Sequence, residues 1–209
     1  MGEDELGFES ASLSGPPQLG VPIGTALPDW SASFSSPGVG TNAVTQVWYD
    51  NVSLGGAAIS LIDTNAGYGF TPIQGRYSVV LFGGPSDIFS TSDPTYVTLS
   101  QTGLVPNGTE SLLMDANAWY GFTVTFGGQG INMVPLQTFP THTTYGGDIS
   151  GLAGLVAQLK ITAPPTGVPN AVLLDNIRFS SQFVPKPGVV ALSALGALLL
   201  GWRVLWRWR

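Results

Sequence analysis

The sequence contains no cysteine and one histidine, and only 10% of its 209 residues are charged. Without cysteine, the chain has no disulfide, no thiolate nucleophile and no zinc site of the cysteine type. The lone His142 also argues against a transition-metal centre, because imidazole and thiolate are the usual ligands of those ions. Basic residues are scarce, with 7 Lys and Arg against 13 Asp and Glu. This balance excludes a surface that neutralises nucleic-acid phosphates.

Glycine and proline are abundant, with 28 and 16 residues, and they are too frequent for a helical bundle. The chain is nevertheless 44% hydrophobic and 11% aromatic, which is too apolar for a disordered protein. Many short strands joined by turns satisfy both observations. We therefore expect one β-domain over residues 1–183, followed by a separate tail over residues 184–209.

Strict alternation of apolar and polar residues identifies the strands. It is clearest at 96–100, 122–126 and 155–161. Seven further segments have the length and composition of strands: 30–35, 44–49, 58–63, 77–82, 111–115, 131–134 and 173–179. The opening GFES of residues 7–10 is also typical of a first strand, and the glycine pairs are typical of turns. The pattern favours an all-β, antiparallel two-sheet sandwich.

The tail differs from the domain in both charge and hydropathy. All 13 acidic residues precede it, whereas it holds 4 of the 7 basic ones. An uncharged run from Val189 to Trp202 is apolar around its whole circumference, which favours a membrane helix over a buried C-terminal helix of the domain. The expected membrane anchor comprises Val189, Leu192, Leu195, Leu198, Leu199, Leu200 and Trp202. Its cytoplasmic basic end comprises Arg203, Arg207 and Arg209.

This tail resembles the PEP-CTERM sorting tail of bacterial exosortase substrates, in which a short proline motif precedes an apolar segment and terminal arginines. The motif here is Val184, Pro185, Lys186 and Pro187, with lysine where the family usually has glutamate. The resemblance implies an exosortase-type sorting protease as a partner, and a domain facing the periplasm or the extracellular space. Residues 1–10 lack the basic and apolar segments of a signal peptide. Either the chain is not exported by that route or, as we expect, the encoded protein begins upstream of Met1.

Several segments of the domain resemble the jelly-roll fold common in PEP-CTERM proteins and similar to galactose-binding-like carbohydrate modules. They are GFES at 7–10, GRYSVVLFGG at 75–84, residues 97–116, residues 148–163 and LLDNIRFS at 173–180. The resemblance predicts a jelly-roll β-sandwich followed by the single C-terminal hydrophobic helix.

A structural calcium site is a further expectation for this domain. Period two places Asp175 on one face with Leu173, Ile177 and Phe179, so its carboxylate needs a partner. In the modules that the chain resembles, a Glu of the opening motif and an Asp of the closing strand bind structural Ca²⁺. Those residues correspond here to Glu9 and Asp175. The alternative is that backbone N–H groups or Asn176 satisfy Asp175 without a metal.

The residues indicate no catalytic site. His142 has no nucleophile-elbow serine, and the spacing of the carboxylates names no glycosidase pair among Asp50, Asp63, Asp87, Asp93, Glu110, Asp115 and Asp148. Aromatic residues outside the apolar faces are candidate surfaces for sugars: Trp48, Tyr49, Tyr68, Trp119, Tyr120 and Tyr145. We expect Trp119, Tyr120 and Tyr145 to form the glycan platform, unless they serve ordinary packing.

Three hypotheses of function follow. The first is a non-enzymatic exported or cell-surface protein, sorted or anchored by its tail and associated with an extracellular polysaccharide matrix. The second is a carbohydrate-binding module for a defined glycan, and the third is a glycoside hydrolase. None involves nucleic acid.

The orientation of the tail is testable with a reporter that is active only in the periplasm, in a chain carrying an added export signal. We expect activity when the reporter follows Phe183 and silence when it follows Arg209, because moving three arginines across the bilayer is strongly disfavoured. Reporter activity after Arg209 would reverse the proposed orientation.

Overall fold

A computed structural model describes residues 6–52, 56–64, 70–84, 94–166 and 170–184. These ranges contain one short helix, α1 (Ile23–Ala26), and a 3₁₀ turn at Ser150–Leu152. Their strands are β1 (Gln18–Pro22), β2 (Ser31–Ser36), β3 (Gly40–Val44), β4 (Gln46–Tyr49), β5 (Ala58–Ile62), β6 (Ser78–Gly83), β7 (Tyr96–Leu104), β8 (Ser111–Ala118), β9 (Thr123–Phe126), β10 (Gln129–Ile131), β11 (Val134–Thr138), β12 (Thr143–Asp148), β13 (Val156–Ala163) and β14 (Asn170–Ser180).

The strands form two sheets. One has eight strands in the order β1-β4-β5-β6-β14-β8-β12-β11, and the other has six in the order β10-β9-β13-β7-β2-β3. This arrangement confirms the expected all-β, two-sheet architecture. Among the described strands, pairing is antiparallel except between β4 and β5, which run parallel. The expectation of an antiparallel arrangement throughout is therefore wrong at this one pair.

Side-chain alternation in the six-stranded sheet follows the sequence pattern. In β13, Ala157, Leu159 and Ile161 are buried while the residues between them are more exposed. Their buried side chains meet those of the eight-stranded sheet in an inner core. The largest fully buried side chains include Tyr49, Tyr77, Phe8, Phe82, Phe126 and Leu27.

The middle of the eight-stranded sheet, at β5, β6 and β14, is also covered on its other face. β5 and β6 are buried at every position, so they lack the alternation of a half-exposed strand. Their outward side chains belong to a second cluster, which we call the outer layer. It consists of Val52, Ala58, Ile62, Phe70, Val80, Phe82, Ala171 and Leu173.

The last strand, β14, contains a bulge that changes which side chains face the inner core. Its register against β8 shifts between Asp175 and Arg178, and Asn176 has a left-handed φ of 49°. The inward residues therefore lie at even positions before the bulge and at odd positions after it: Val172, Leu174, Ile177 and Phe179.

The bulge corrects the prediction that Leu173, Asp175, Ile177 and Phe179 share one face. Leu173 belongs to the outer layer, whereas Ile177 and Phe179 belong to the inner core. Asp175 has the parity of Leu173 and bonds to Ser78 of β6 on the outer side. An extra residue in one strand moves every later side chain of that strand to the opposite face. A prediction that assumes uninterrupted alternation therefore assigns those side chains to the wrong face.

Three other local predictions are wrong. GFES forms a turn in which the Ala11 amide donates to the Phe8 carbonyl, although Leu6 does bond to Ile177 of β14. The glycine pairs 83–84 and 146–147 reach into strands, because β6 ends at Gly83 and β12 contains Gly146 and Gly147. The segment predicted at 131–134 spans the end of β10 and the start of β11.

The last residue that the structure describes is buried. Val184 is 5% exposed, and a Cβ added to Gly146 of β12 would lie 2.8 Å from its Cγ2 atom. The first residue of the predicted sorting motif thus packs against the domain. The other motif residues, the predicted membrane helix and the basic end lie outside the described residues. Within the described ranges, no helix has the length and apolar character needed to cross a membrane.

A glycine at the end of β6 provides a test of the packing. A Cβ at Gly83 would lie 2.6 Å from the Pro164 carbonyl oxygen and 2.7 Å from that of Ala163. Because backbone cannot move aside easily, we expect Gly83→Ala to destabilise the fold by about 2 kcal/mol. Gly103→Ala in β7 is the matched control, since a Cβ there meets nothing within 4 Å. Urea unfolding followed by tryptophan fluorescence measures both, and equal midpoints for the two variants would contradict this packing.

Candidate functional site

A cleft of about 440 Å³ lies where edges of the two sheets meet. Strands β2 and β3 of the six-stranded sheet form one side, and β1, β4 and β5 of the eight-stranded sheet form the other. Among the described residues that line the cleft, none is charged. They are Gly20, Phe34, Asn42, Ala43, Val44, Thr45, Gln46, Trp48, Ala57, Ala58 and Ile59.

Strand β4 positions the aromatic side chain of the cleft. Val47 and Tyr49 point into the inner core and are almost fully buried. Alternation therefore turns Gln46 and Trp48 to the opposite side. Trp48 is half-buried and packs against the outer layer, which holds its ring in place. The site combines an apolar ring with the uncharged amides of Gln46 and Asn42, which donate and accept hydrogen bonds.

A second depression, of about 540 Å³, lies beside the 3₁₀ turn. Its lining includes Asp148 and Ile149 but no aromatic side chain among the described residues. The Asp148 carboxylate accepts hydrogen bonds from the amide and the hydroxyl of Ser150, at 3.0 and 2.8 Å. This contact joins the end of β12 to the start of the 3₁₀ turn.

The predicted glycan platform is only partly brought together. Trp119 and Tyr120 are 48% and 58% exposed and adjacent in the loop after β8. The Trp119 ring stacks on Phe70 of the outer layer, with centroids 5.9 Å apart. Tyr145 instead makes an edge contact with Phe122 and packs against the inner core. Trp119 and Tyr145 therefore pack on different faces of the eight-stranded sheet.

Asn170 holds the loop that carries Trp119 and Tyr120. Its Oδ1 atom accepts from the Tyr120 amide at 3.2 Å, and its Nδ2 atom donates to the Gly121 and Pro164 carbonyls at 3.0 Å. Asn170 is fully buried, so these bonds are shielded from water. The sequence gives no signal for this residue, because two of its partners, Tyr120 and Gly121, lie about fifty residues away in the chain.

The remaining aromatic candidates, Trp48, Tyr49 and Tyr68, differ in their surroundings. Tyr49 is fully buried and is a core residue, whereas Tyr68 lies outside the described residues. Trp48 lines the cleft between the sheet edges.

Glu9 and Asp175, the predicted calcium ligands, approach the same short segment, residues 74–77. Asp175 Oδ2 accepts from the Gln74 amide at 2.9 Å and from the Ser78 hydroxyl, and Oδ1 accepts from the Asn176 amide. Glu9 Oε1 accepts from the amides of residues 76 and 77. Between these residues, Gly75 has a φ of 61°, and a Cβ there would collide with the Glu9 carboxylate.

Burial raises the pKa of Asp175 to about 6, and the negative charge of Glu9 contributes to the rise, against the three hydrogen bonds. A bound cation would neutralise the negative charge of these two carboxylates and remove the repulsion between them. The backbone N–H groups nevertheless match the alternative that Asp175 is satisfied without metal. Within the described ranges, no three acidic or histidine side chains form a metal cluster. Calcium at Glu9 and Asp175 therefore stays a prediction.

A second carboxyl pair, Asp50 and Asp63, was not singled out by the sequence. Both residues are buried, at 3% and 5% exposed. Burial raises the pKa of Asp50 to about 6, and the Asp63 side chain adds to the rise. Burial and the bond to Asp63 also raise the pKa of Tyr49. Neither aspartate lines the cleft of Trp48.

A sequence signal for this pair exists. Residues 47–54 read VWYDNVSL and residues 172–179 read VLLDNIRF, so an Asp-Asn dipeptide follows three apolar residues in both segments. Each Asp is buried, and each Asp-Asn dipeptide contains one residue with a left-handed φ, Asp50 at 47° and Asn176 at 49°. Comparing the two segments would have drawn attention to Asp50.

No family model and no curated protein matches this sequence. Among solved structures, the chain is similar to TmCBM61, solved in complex with β-1,4-galactotriose, at 13% identity over 84% of this chain and 94% of that one, with a TM-score of 0.44. It is also similar to the enzymatically active domain of tailspike protein 4 of bacteriophage CBA120, at 11% identity over 73% of this chain and 19% of that one, with a TM-score of 0.38.

A third similarity is to the α-L-rhamnosidase of Dictyoglumus thermophilum, at 8% identity over 80% of this chain and 25% of that one, with a TM-score of 0.25. All three TM-scores are low, so these similarities support no conclusion about the function of this chain.

Thermal melting tests calcium at Glu9 and Asp175. We expect added CaCl₂ to raise the melting temperature of the full chain in detergent relative to EDTA, because an ion that binds only the folded state stabilises it. Asp175→Ala should reduce the shift, whereas Asp148→Ala, at the 3₁₀ turn, should leave it unchanged. Identical melts of the unaltered chain in both buffers would eliminate the site.

Proposed function

We propose that the domain is a non-enzymatic carbohydrate-binding module that takes a neutral glycan in the cleft of Trp48. The observation that carries this proposal is the composition of the cleft. A half-buried indole ring and uncharged amides line one concavity, with no charged side chain among the described lining residues. Concave sites with an aromatic surface and a few polar groups are the usual form of small-ligand sites.

A sugar ring suits these groups chemically. Its C–H face is apolar enough to lie on the face of Trp48, and its hydroxyls both donate and accept hydrogen bonds. The side chains of Gln46, Asn42 and Thr45 supply matching donors and acceptors without a charge.

Charge favours a neutral glycan over an acidic one. The cleft offers no Lys or Arg to pair with a uronate or sulfate among its described lining residues. Residues 1–183 carry 13 acidic side chains and only Arg76, Lys160 and Arg178 as Lys or Arg. A strongly acidic domain repels an anionic polymer at moderate ionic strength.

The same composition supports the absence of catalysis. Cleaving a glycosidic bond requires a group that donates a proton and a second carboxylate on the other side of the bond. No titratable side chain lines the cleft among the described residues. The buried Asp50 and Asp63 lie away from the cleft lining and belong to the ends of β4 and β5.

For the chain as a whole, we propose export and retention through residues 184–209. The support is the layout of that segment, in which a proline motif precedes an uncharged apolar run and three arginines. In this proposal the tail delivers the module to the cell surface, and the cleft attaches it to a neutral polysaccharide of the surrounding matrix.

A glycan array tests the proposed site, with the full chain in detergent and neutral, uronate-containing and sulfated glycans as probes. We expect binding among the neutral glycans, and we expect Trp48→Ala to weaken it by about ten-fold or more, because the sugar loses its stacking surface. Tyr96→Ala is the matched control, because it removes an exposed aromatic ring on the six-stranded sheet that does not line the cleft.

Trp119→Ala tests whether the glycan binds in the cleft of Trp48 or on the surface formed by Trp119 and Phe70. Retained binding in this variant, with loss in Trp48→Ala, supports the cleft. The opposite pattern would move the site to the predicted platform, and binding restricted to acidic glycans would refute the neutral-glycan proposal.

A further inference from the structure

The parallel pair of strands β4 and β5 brings two carboxylates together at one end. Trp48 pairs with Ser60, and Tyr49 pairs with Leu61. Because the strands run in the same direction, the residues that follow them emerge side by side. Asp50 directly follows β4, and Asp63 directly follows β5.

Hydrogen bonds fix the two side chains in this position. The Asp63 amide donates to Asp50 Oδ1 at 2.7 Å, and the Tyr49 hydroxyl donates to Asp63 Oδ2 at 2.6 Å. Tyr49 is itself fully buried in the inner core. The two carboxyl groups are therefore held in fixed positions inside the domain.

One oxygen of this pair has no partner. Asp50 Oδ2 is inaccessible to water and accepts no hydrogen bond from the described residues, although Asp50 is only 3% exposed. A buried carboxylate oxygen without a donor costs several kcal/mol, so native proteins normally pair it. The neighbouring group is the Asp63 carboxyl, which is an acceptor when ionised.

Two facing carboxylates inside a protein require a positive charge between them. Either a proton or a metal ion meets that requirement, because two neighbouring negative charges in a protein interior repel strongly. The available ligands are oxygens alone, without histidine or cysteine. Such a ligand set matches a hard divalent cation, and Ca²⁺ in particular accepts irregular oxygen geometry that includes peptide carbonyls.

We propose that Asp50 and Asp63 form a buried cation site for Ca²⁺, separate from Glu9 and Asp175. In this site Asp50 Oδ2 binds the ion, while the Asp63 amide and the Tyr49 hydroxyl hold the two carboxylates in place. The ion joins the ends of β4 and β5, whose ladder consists of only two residue pairs. It therefore fastens the strands β1 and β4 to the rest of the eight-stranded sheet.

Calcium stoichiometry is the decisive measurement. The full chain in detergent at pH 7.5, freed of metal with a chelator, is titrated with CaCl₂ by calorimetry and by equilibrium dialysis. We expect Asp50→Asn to bind one calcium ion fewer than the unaltered chain and to lose part of the calcium-dependent rise in melting temperature. Glu9→Gln should keep this ion, and the control Asp148→Asn should match the unaltered chain.

Equal stoichiometry in Asp50→Asn and the unaltered chain would overturn the proposal, as would the absence of calcium binding at millimolar concentration. A fall in stability from pH 5 to pH 7.5 that does not respond to calcium and is smaller in Asp50→Asn would assign a shared proton to the pair instead. If Asp50→Asn does not fold, hydrogen exchange of the unaltered chain decides. Calcium should then slow exchange of the Asp63 amide, and unchanged exchange there would refute the site.

Discussion

The burial of both faces of β5 and β6, in the middle of the eight-stranded sheet, is the constraint on which the rest of the structure depends. Strands β5 and β6 have no exposed side, so every side chain on them must fit one of two apolar layers. The inner core joins the two sheets, and the outer layer supports Trp48 and Phe70, on which Trp119 stacks. A sheet covered on both sides cannot slip by one residue without exchanging its two layers. The surface aromatics are therefore held by a framework with one allowed register.

Three of the four buried aspartates among the described residues lie where strands end or bulge; the fourth, Asp115, lies within β8. Asp175 lies at the bulge of β14, and Asp50 and Asp63 lie just beyond β4 and β5. Inside a β-ladder the backbone N–H and C=O groups are paired with the neighbouring strand. At strand ends and bulges some N–H groups lack a backbone partner, and carboxylates can accept their hydrogen bonds. The Gln74, Asn176 and Asp63 amides are used in this way. The carboxylates thereby replace missing ladder bonds, and they bring negative charge into the interior.

The parts of the fold that the sequence predicts are those governed by local alternation. β7, β9 and β13 each have one buried and one more exposed face, so period two identifies them. β12 was missed because Gly146 and Gly147 look like a turn, although Gly147 is needed where Ile131 and Met133 cover the strand. The β14 bulge was missed because its extra residue depends on the pairing with β8. Local patterns carry no information about such partners.

The candidate sites show the same limit. Trp48 was one of six candidate aromatics, and only the meeting of two sheet edges distinguishes it. Asp50 and Asp63 become neighbours through parallel pairing, which requires strands that are not joined by a tight hairpin. Glu9 and Asp175 meet at residues 74–77, far from both in sequence. Each site depends on topology, which a single sequence specifies only through the whole fold.

The position of Val184 shows where the chain leaves the described part of the domain relative to the cleft. Val184 packs near Gly146 on β12, whereas the cleft is formed at β4 and β5, toward the other end of the sheet order. Five strand spacings separate β4 from β12, or about 24 Å across the sheet. Anything attached beyond residue 184 therefore starts on the side away from the cleft. In the proposed arrangement, in which residues 184–209 retain the domain, the point of attachment lies across the sheet from the proposed glycan cleft.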